Sequence, residues 1–374
     1  MKELGIYVHI PFCAHKCIYC DFISFDNEQG KIEKYIESLQ KEIKSCKLEK
    51  EEYLVKTIYF GGGTPSYIDS KDIVSILDLI KQKFNVSKDA EITIEVNPGT
   101  VTKEKLTDYI NSGINRLSIG LQTTNNNLLK LIGRIHTYQE FLDTYNLARE
   151  IGFKNINVDL MIGLPTQNIQ DIENDLEKIT SLKPEHISSY SLIIEEGTRL
   201  EEKIKNKELY LPSEKLERKM YWKVKELLEK KGYIHYEISN FSKPNYESKH
   251  NLACWNQEEY IGFGLSSHSY LNNKRYSNTE CLEKYIEKNG KDKTIHEIQD
   301  NEAKMKEYML LGLRKIDGIK ISKFKNIFVE NPIFKYKEQL NKLVKKELIE
   351  IGVDDIKLTN KGIDFANIVW EEFV

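Results

Sequence analysis

From residue 5 to about residue 194, short β-rich runs alternate with longer stretches in which apolar residues recur at helical spacing. The short runs are 5–10, 57–60, 91–96, 115–119, 155–161 and 186–190, and each predicts a strand. Between them, 32–43, 73–84, 103–110, 138–151 and 169–182 predict helices, with Ser70 and Thr102 as N-caps and Gly152 as a C-terminal cap. Strands that alternate with helices in this way pair in parallel through right-handed crossovers, so the sheet is covered on both sides or closes toward a barrel. Six repeats predict an α/β fold built as a partial (β/α)6 TIM-like barrel. A doubly wound open sheet has the same periodicity and stays open as an alternative.

The rhythm changes beyond Glu195. Residues 213–231 predict a long amphipathic helix ended by Gly232, followed by a strand near 235–238 and a loop holding Pro244. From Asp300 onward the pattern is a helix through Arg314, a second over 334–346, a strand pair near 348–351 and 356–358, and a closing helix. That order is winged-helix-like, with Asp354 and Asp355 placed at the hairpin turn. The expected division is a barrel domain over 1–235, a connecting segment over 236–299 and a small C-terminal helical domain over 300–374. There is no internal repeat and no low-complexity segment.

Composition adds little to this picture. Forty per cent hydrophobic and 30% charged residues are ordinary globular values, and a formal net charge of -3 names no partner. The densest basic stretch, Arg314 to Lys346, carries ten Lys and Arg residues against Asp317, Glu330 and Glu338. In so lysine-rich a chain it reads as a solvated helical face, and no nucleic-acid partner is expected. The apolar run before Pro11 is too short for a secretory signal, and no stretch approaches the roughly 20 apolar residues of a membrane span. Six cysteines without an export signal point to free thiols in a reducing, cytoplasmic setting.

Chemistry concentrates in Tyr7-Val-His-Ile-Pro-Phe-Cys-Ala-His-Lys-Cys-Ile-Tyr-Cys20, directly after the first predicted strand. Cys13, Cys17 and Cys20 are spaced C-x3-C-x2-C, and three thiolates on one loop can hold three corners of an iron-sulfur cube while one iron stays open. A zinc-stabilised binding protein is the rival: His9 or His15 would complete a tetrahedral site. Cys46, Cys254 and Cys281 stand alone, as small buried hydrophobes usually do.

This motif, with an aromatic residue before its last cysteine, resembles the signature of the radical S-adenosylmethionine (SAM) superfamily. The preceding Tyr-Val-His-Ile-Pro-Phe is similar to the group that contains oxygen-independent coproporphyrinogen III oxidases and heme chaperones. The resemblance implies a [4Fe-4S] cluster on Cys13, Cys17 and Cys20, with SAM on the open iron and one-electron cleavage to a 5′-deoxyadenosyl radical. It also implies SAM contacts from Tyr7, Tyr19, Gly62, Gly63, Thr64, Glu95, Gln122, Arg134 and Asp159. The residues agree independently: Gly61-Gly-Gly-Thr-Pro-Ser66 follows the second strand, where glycines let backbone approach a ligand. Glu95, Gln122 and Asp159 fall near the C-terminal ends of successive strands, the edge at which barrel enzymes gather ligand groups. Whether one or two SAM molecules bind stays open.

Two positions separate the branches of the group. The oxidases carry a further cysteine two residues after the third ligand, and this chain has Phe22 there. His250-Asn-Leu-Ala-Cys-Trp255 resembles the chaperones' heme-associated HNxxYW motif, with Cys254 in place of the tyrosine. The resemblance therefore implies heme as a third cofactor, with His250 as first choice for its contact and Cys254 and His268 as further candidates. The expected function is that of a heme chaperone passing heme to client hemoproteins, with an electron donor such as a flavodoxin or ferredoxin and compatible with a homodimer. The enzymatic alternatives are decarboxylation of coproporphyrinogen III to protoporphyrinogen IX and a heme-opening methyltransferase.

Overall fold

The computed structural model describes residues 1–374. Strands β1 (Lys2–Ile10), β2 (Tyr53–Gly62), β3 (Val86–Val96), β4 (Arg116–Gln122), β5 (Ile156–Ile162) and β6 (His186–Ser191) run parallel and neighbour one another in chain order. The crossovers contain α1 (Ile32–Ser45), α2 (Ser70–Lys83), α3 (Lys103–Asn111), α4 (Asn126–Leu131), α5 (Tyr138–Ile151) and α6 (Ile169–Ser181). This is the expected α/β partial barrel with a mostly parallel sheet. Local signals start and stop the helices. Thr137 and Glu140 form a capping box at α5, and Gly152 ends that helix at φ +113°. At α2 the cap is Asp69, whose carboxylate accepts the Lys71 N–H, while Ser70 instead donates to Asp108.

Period-two alternation gives the strands two different faces. Ile6, Val8, Ile58, Phe60, Ile94, Leu117, Ile119, Val158 and Ile187 are buried in the main hydrophobic core. The alternate positions are largely polar: His9, Thr57, Thr93, Glu95, Arg116, Ser118, Asn157, Asp159, His186 and Ser188. A parallel sheet covered on both faces is ordinarily apolar on both. A polar inner face marks a barrel interior used for chemistry.

The chain continues through α7 (Arg199–Lys205), α8 (Glu214–Lys230), β7 (Ile234–Glu237), β8 (Asn240–Ser242), α9 (Lys249–Trp255), β9 (Tyr260–Phe263), β10 (His268–Leu271), β11 (Lys274–Asn278), α10 (Leu282–Lys288) and β12 (Lys293–Ile298). Residues 236–299, expected as a connecting segment, extend the same sheet at both edges. β8 pairs antiparallel with β6, and β9 pairs parallel with β1, giving twelve strands in the order β12-β11-β10-β9-β1-β2-β3-β4-β5-β6-β8-β7.

The C-terminal part begins with α11 (Asn301–Gly312), β13 (Ile319–Lys320), α12 (Ile321–Phe328), α13 (Pro332–Lys335) and α14 (Lys337–Lys345). It ends with β14 (Ile349–Ile351), β15 (Asp355–Leu358), α15 (Asn360–Asp364) and α16 (Ala366–Glu371). Its three strands form a separate antiparallel sheet, in a winged-helix-like order. A single core cluster of 71 residues runs from Leu4 to Phe373, so the packing of this part is continuous with that of the barrel. The basic stretch is dispersed: Lys320, Lys335 and Lys342 pair with Asp355, Glu302 and Glu372, and Arg314 lies between Trp255 and Trp370. No helix is long and apolar enough to cross a membrane.

Candidate functional site

The loop after β1 carries Cys13, Cys17 and Cys20 onto the C-terminal edge of the parallel strands. All three thiols are free, and all three line one cavity of about 140 Å³. Short contacts fix the loop. His9 is buried and neutral, its pKa lowered to about 4 by desolvation. Its Nε2–H donates to the Ile23 carbonyl at 2.9 Å, and its Nδ1 accepts the Tyr7 hydroxyl at 3.0 Å. The Thr64 hydroxyl donates to Cys13 Sγ at 3.5 Å, and Arg134 Nη1 reaches Cys17 Sγ at 3.6 Å. Burial raises the Cys13 thiol above its ordinary range and pushes the Cys20 thiol up to about 11.

The same cavity is lined by Tyr19, Gly62, Gly63, Thr64, Glu95, Gln122, Arg134 and Asp159, so eight of the nine residues expected around SAM meet the cysteines. Tyr7 is the exception. Its ring stacks on Tyr59 within the wall, and its hydroxyl serves His9. Sequence reasoning missed Asn97, Ser118 and Tyr190. Asn97 accepts from Arg134 Nη2 at 2.7 Å and donates to Thr64 at 2.7 Å. The Tyr190 hydroxyl donates to Gln122 Oε1 at 3.0 Å, holding a residue whose backbone sits at φ +75°. The signal for them was the period-two placement of polar residues along β3, β4 and β6.

Two half-buried carboxylates face this space. Glu95 accepts from the Tyr59 hydroxyl at 2.8 Å and from the Gly62 N–H at 3.2 Å. Burial, reinforced by the Asp159 charge, pushes its pKa up to about 7. Asp159 accepts from Asn157 at 2.7 Å and is likewise raised by burial. Such a pair favours a cationic group on a ligand.

A second cavity of about 430 Å³ adjoins the first and shares Tyr19, Cys20, Phe22, Glu95, Ser118, Asp159 and Tyr190 with it. It reaches past Arg116 and Asn157 to Asn251, and is flanked by Met161, Leu192 and Ile193. Phe22 is 64% exposed at the shared mouth.

The glycines of 61–63 leave no room for side chains. A Cβ on Gly63 would lie 2.9 Å from the Phe12 carbonyl and 3.0 Å from Cys13 Sγ; on Gly62, at φ +115°, it would lie 2.6 Å from the His9 ring. Gly62→Ala is therefore expected to lower stability by about 2–3 kcal/mol and to displace the His9–Ile23 contact. Urea denaturation of the metal-free protein checks this, and an unchanged midpoint would count against it.

His250 does not join this cavity. It lies in the first turn of α9, 8% exposed, with Nδ1 at 2.8 Å from the Thr57 hydroxyl and its ring stacked on Tyr59 at 5.2 Å. Glu91 accepts the N–H groups of Lys249 and His250 and so caps the helix start. Burial lowers the His250 pKa to about 4, leaving the ring neutral. Burial also raises the Cys254 thiol to about 11. His268 is exposed on β10, stacked on His296, away from both cavities.

The residues present suit the implied cofactors. Three free thiols share one loop and one cavity, beside glycines that admit a close ligand, paired carboxylates and an arginine. No three His, Cys, Asp or Glu side chains stand together as a ready-made site for a single ion. The six parallel strands with a three-cysteine loop at their C-terminal edge define the class, a radical SAM protein.

Comparison with known proteins agrees. The Radical SAM superfamily model matches residues 7–179, and the HemN C-terminal domain model matches residues 299–365. The Heme chaperone HemW of Lactococcus lactis subsp. lactis is 38% identical over 374 residues, covering 100% of this chain and 98% of that protein. The Heme chaperone HemW of Bacillus subtilis is 36% identical, covering 98% of each. Among solved structures, coproporphyrinogen III oxidase (HemN) from Escherichia coli superposes with a TM-score of 0.86 at 23% identity, covering 100% of this chain and 90% of that one, a likeness of fold. The chain belongs to the HemW family within the radical SAM superfamily.

Proposed function

We propose that this chain is a heme chaperone: it binds heme beside a SAM-liganded [4Fe-4S] cluster and passes the heme to client hemoproteins. The observation that carries the reading is the 430 Å³ cavity opening at the cysteine loop, flanked by Phe22, Leu192, Ile193 and Met161. Its size lies within the roughly 300–1,000 Å³ of small-molecule sites. Phe22 adds apolar surface at the point where the oxidase branch has a cysteine. The full-length relatives named as heme chaperones support the same reading.

In this reading Cys13, Cys17 and Cys20 hold the cluster, which when bound supplies an iron open to SAM and a source of single electrons. Gly62, Gly63, Thr64, Gln122 and Arg134 shape the SAM seat, and Glu95 and Asp159 balance its positive charge. An electron donor such as a flavodoxin or ferredoxin, the cytoplasm as compartment and a homodimer belong to the same proposal.

The burial of His250 favours a positioning role through Tyr59 and Thr57 over direct contact with iron. Anaerobic heme titration of the cluster-loaded protein tests function and role together. Wild type is expected to develop a Soret band at about stoichiometric heme and to form no protoporphyrinogen from coproporphyrinogen III. His250→Ala is expected to lose stability, by about 2–3 kcal/mol in urea, while the Soret maximum stays in place. Absent heme binding by wild type would overturn the chaperone reading. A displaced Soret maximum in the variant would make His250 an iron ligand.

A further inference from the structure

Arg116 is a charged side chain of the barrel interior to which the fold gives no hydrogen bond and no close ion pair, only the longer-range charges of Glu95 and Asp159. It lies on β4 opposite Thr93 of β3, only 2% exposed, and lines the 430 Å³ cavity. Its Nε has no hydrogen-bond partner, and the guanidinium forms no ion pair. Arg149 pairs with Glu185, Arg218 with Asp364 and Arg275 with Glu307, while Arg314, whose Nε is likewise unpartnered, is covered by the Trp255 and Trp370 rings and lines neither cavity. Arg134, also in the site, donates to Gly120, Asn97 and Cys17.

A buried guanidinium with unused donors is costly unless something completes it. The nearby acids offset its charge at a distance but take none of its N–H groups. Asp159 is engaged by Asn157 and Ser118, and Glu95 by Tyr59 and Gly62. The planar fork of an arginine matches a carboxylate, which it can hold through two parallel N–H···O bonds. Asn157, Ser188 and Asn251 add neutral polar groups to the lining of the same cavity, whereas Leu192 and Ile193 are apolar. A ligand that fits this gradient has an apolar body and a carboxylate at its tip.

We propose that Arg116 is the seat for a propionate of a tetrapyrrole whose ring lies toward Phe22, Leu192 and Ile193. The proposal rests on the heme-binding reading above and places the ligand's acidic edge deep in the barrel. It gives β4 a specificity-determining residue for porphyrins with free propionates.

The test compares heme with heme dimethyl ester, whose propionates are capped, on wild type, Arg116→Lys and Arg116→Met, each loaded with cluster and titrated anaerobically. Wild type is expected to bind heme at least tenfold more tightly than the diester. Arg116→Met should bind heme about as weakly as wild type binds the diester and be indifferent to esterification, with Arg116→Lys between. SAM binding, read from its effect on the cluster's electron paramagnetic resonance signal, should be retained. Equal binding of heme and diester by wild type overturns the proposal, and this arm needs no variant to fold. A variant that loses the SAM response yet keeps heme affinity overturns it too, placing the SAM carboxylate on Arg116. Wild type that binds neither porphyrin defeats the heme reading itself, and this proposal with it.

Discussion

Cys17→Ala is expected to reduce iron and inorganic sulfide from about four each per chain to near zero, because two thiolates do not retain a cube that three hold. The fold should survive. Cys17 is half-buried on a loop, and its Sγ meets the side chains of Tyr19 and Arg134, the latter's Nη2 remaining anchored on Asn97 and the Gly120 carbonyl. The metal-free variant should therefore unfold within about 0.5 kcal/mol of the metal-free wild type. Cys13→Ala adds a packing loss, since that thiol is buried against Thr64 and Gly63, so its stability falls further for the same loss of iron. Cys46→Ala, Cys254→Ala and Cys281→Ala should keep full iron and sulfide. Iron and sulfide analysis with anaerobic absorption spectra decides the matter. If Cys254→Ala lost the cluster as well, the ligand set assigned to the loop would be wrong.

The triplet was legible because ligand spacing is a local property, as are the periods that place strands and helices. The helix over Tyr138–Ile151 is visible end to end, since Thr137, Glu140 and Gly152 mark its limits chemically. α4 and α9 were missed because six or seven residues hold too few turns to show a period. The joining of β9 to β1 was invisible for another reason. It pairs residues some 255 positions apart, Gly5 with Tyr260, and register across such a distance leaves no trace in either segment alone. The polar inner face lay between these cases. Arg116, Ser118 and Gln122 alternate with Leu117, Ile119 and Leu121, and a charged residue inside a strand destined for burial is itself a signal of function. His250 shows the opposite limit. A motif names a residue, but only packing reveals that its ring is stacked on Tyr59 and its Nδ1 already engaged.

Glu95→Gln should separate stability from ligand binding more sharply than any other change in the barrel. In the folded chain the Glu95 carboxyl titrates near pH 7, chiefly because it is buried; in the unfolded chain it returns to about 4.5. Between those values the folded state holds a proton that the unfolded state has released. Stability contributed by that proton is complete below about pH 4.5 and is lost as pH rises through 7. A shift of this size corresponds to about 3 kcal/mol, and the raised Asp159 acts in the same direction. Glutamine keeps one acceptor for Tyr59 or Gly62 and cannot ionise. Its urea midpoint should therefore fall much less between pH 5.5 and pH 8 than that of wild type, and at pH 8 the variant should be the more stable. SAM binding should move the other way. A cationic group is held better by carboxylate than by amide, so wild-type affinity should rise with pH through 7, while the variant should bind at least tenfold more weakly at pH 8 with no such rise. Denaturation at the two pH values, with SAM titrations of the cluster-loaded protein, measures both. A variant whose midpoint falls as far as the wild type's over this range would show that the proton sits elsewhere in the barrel.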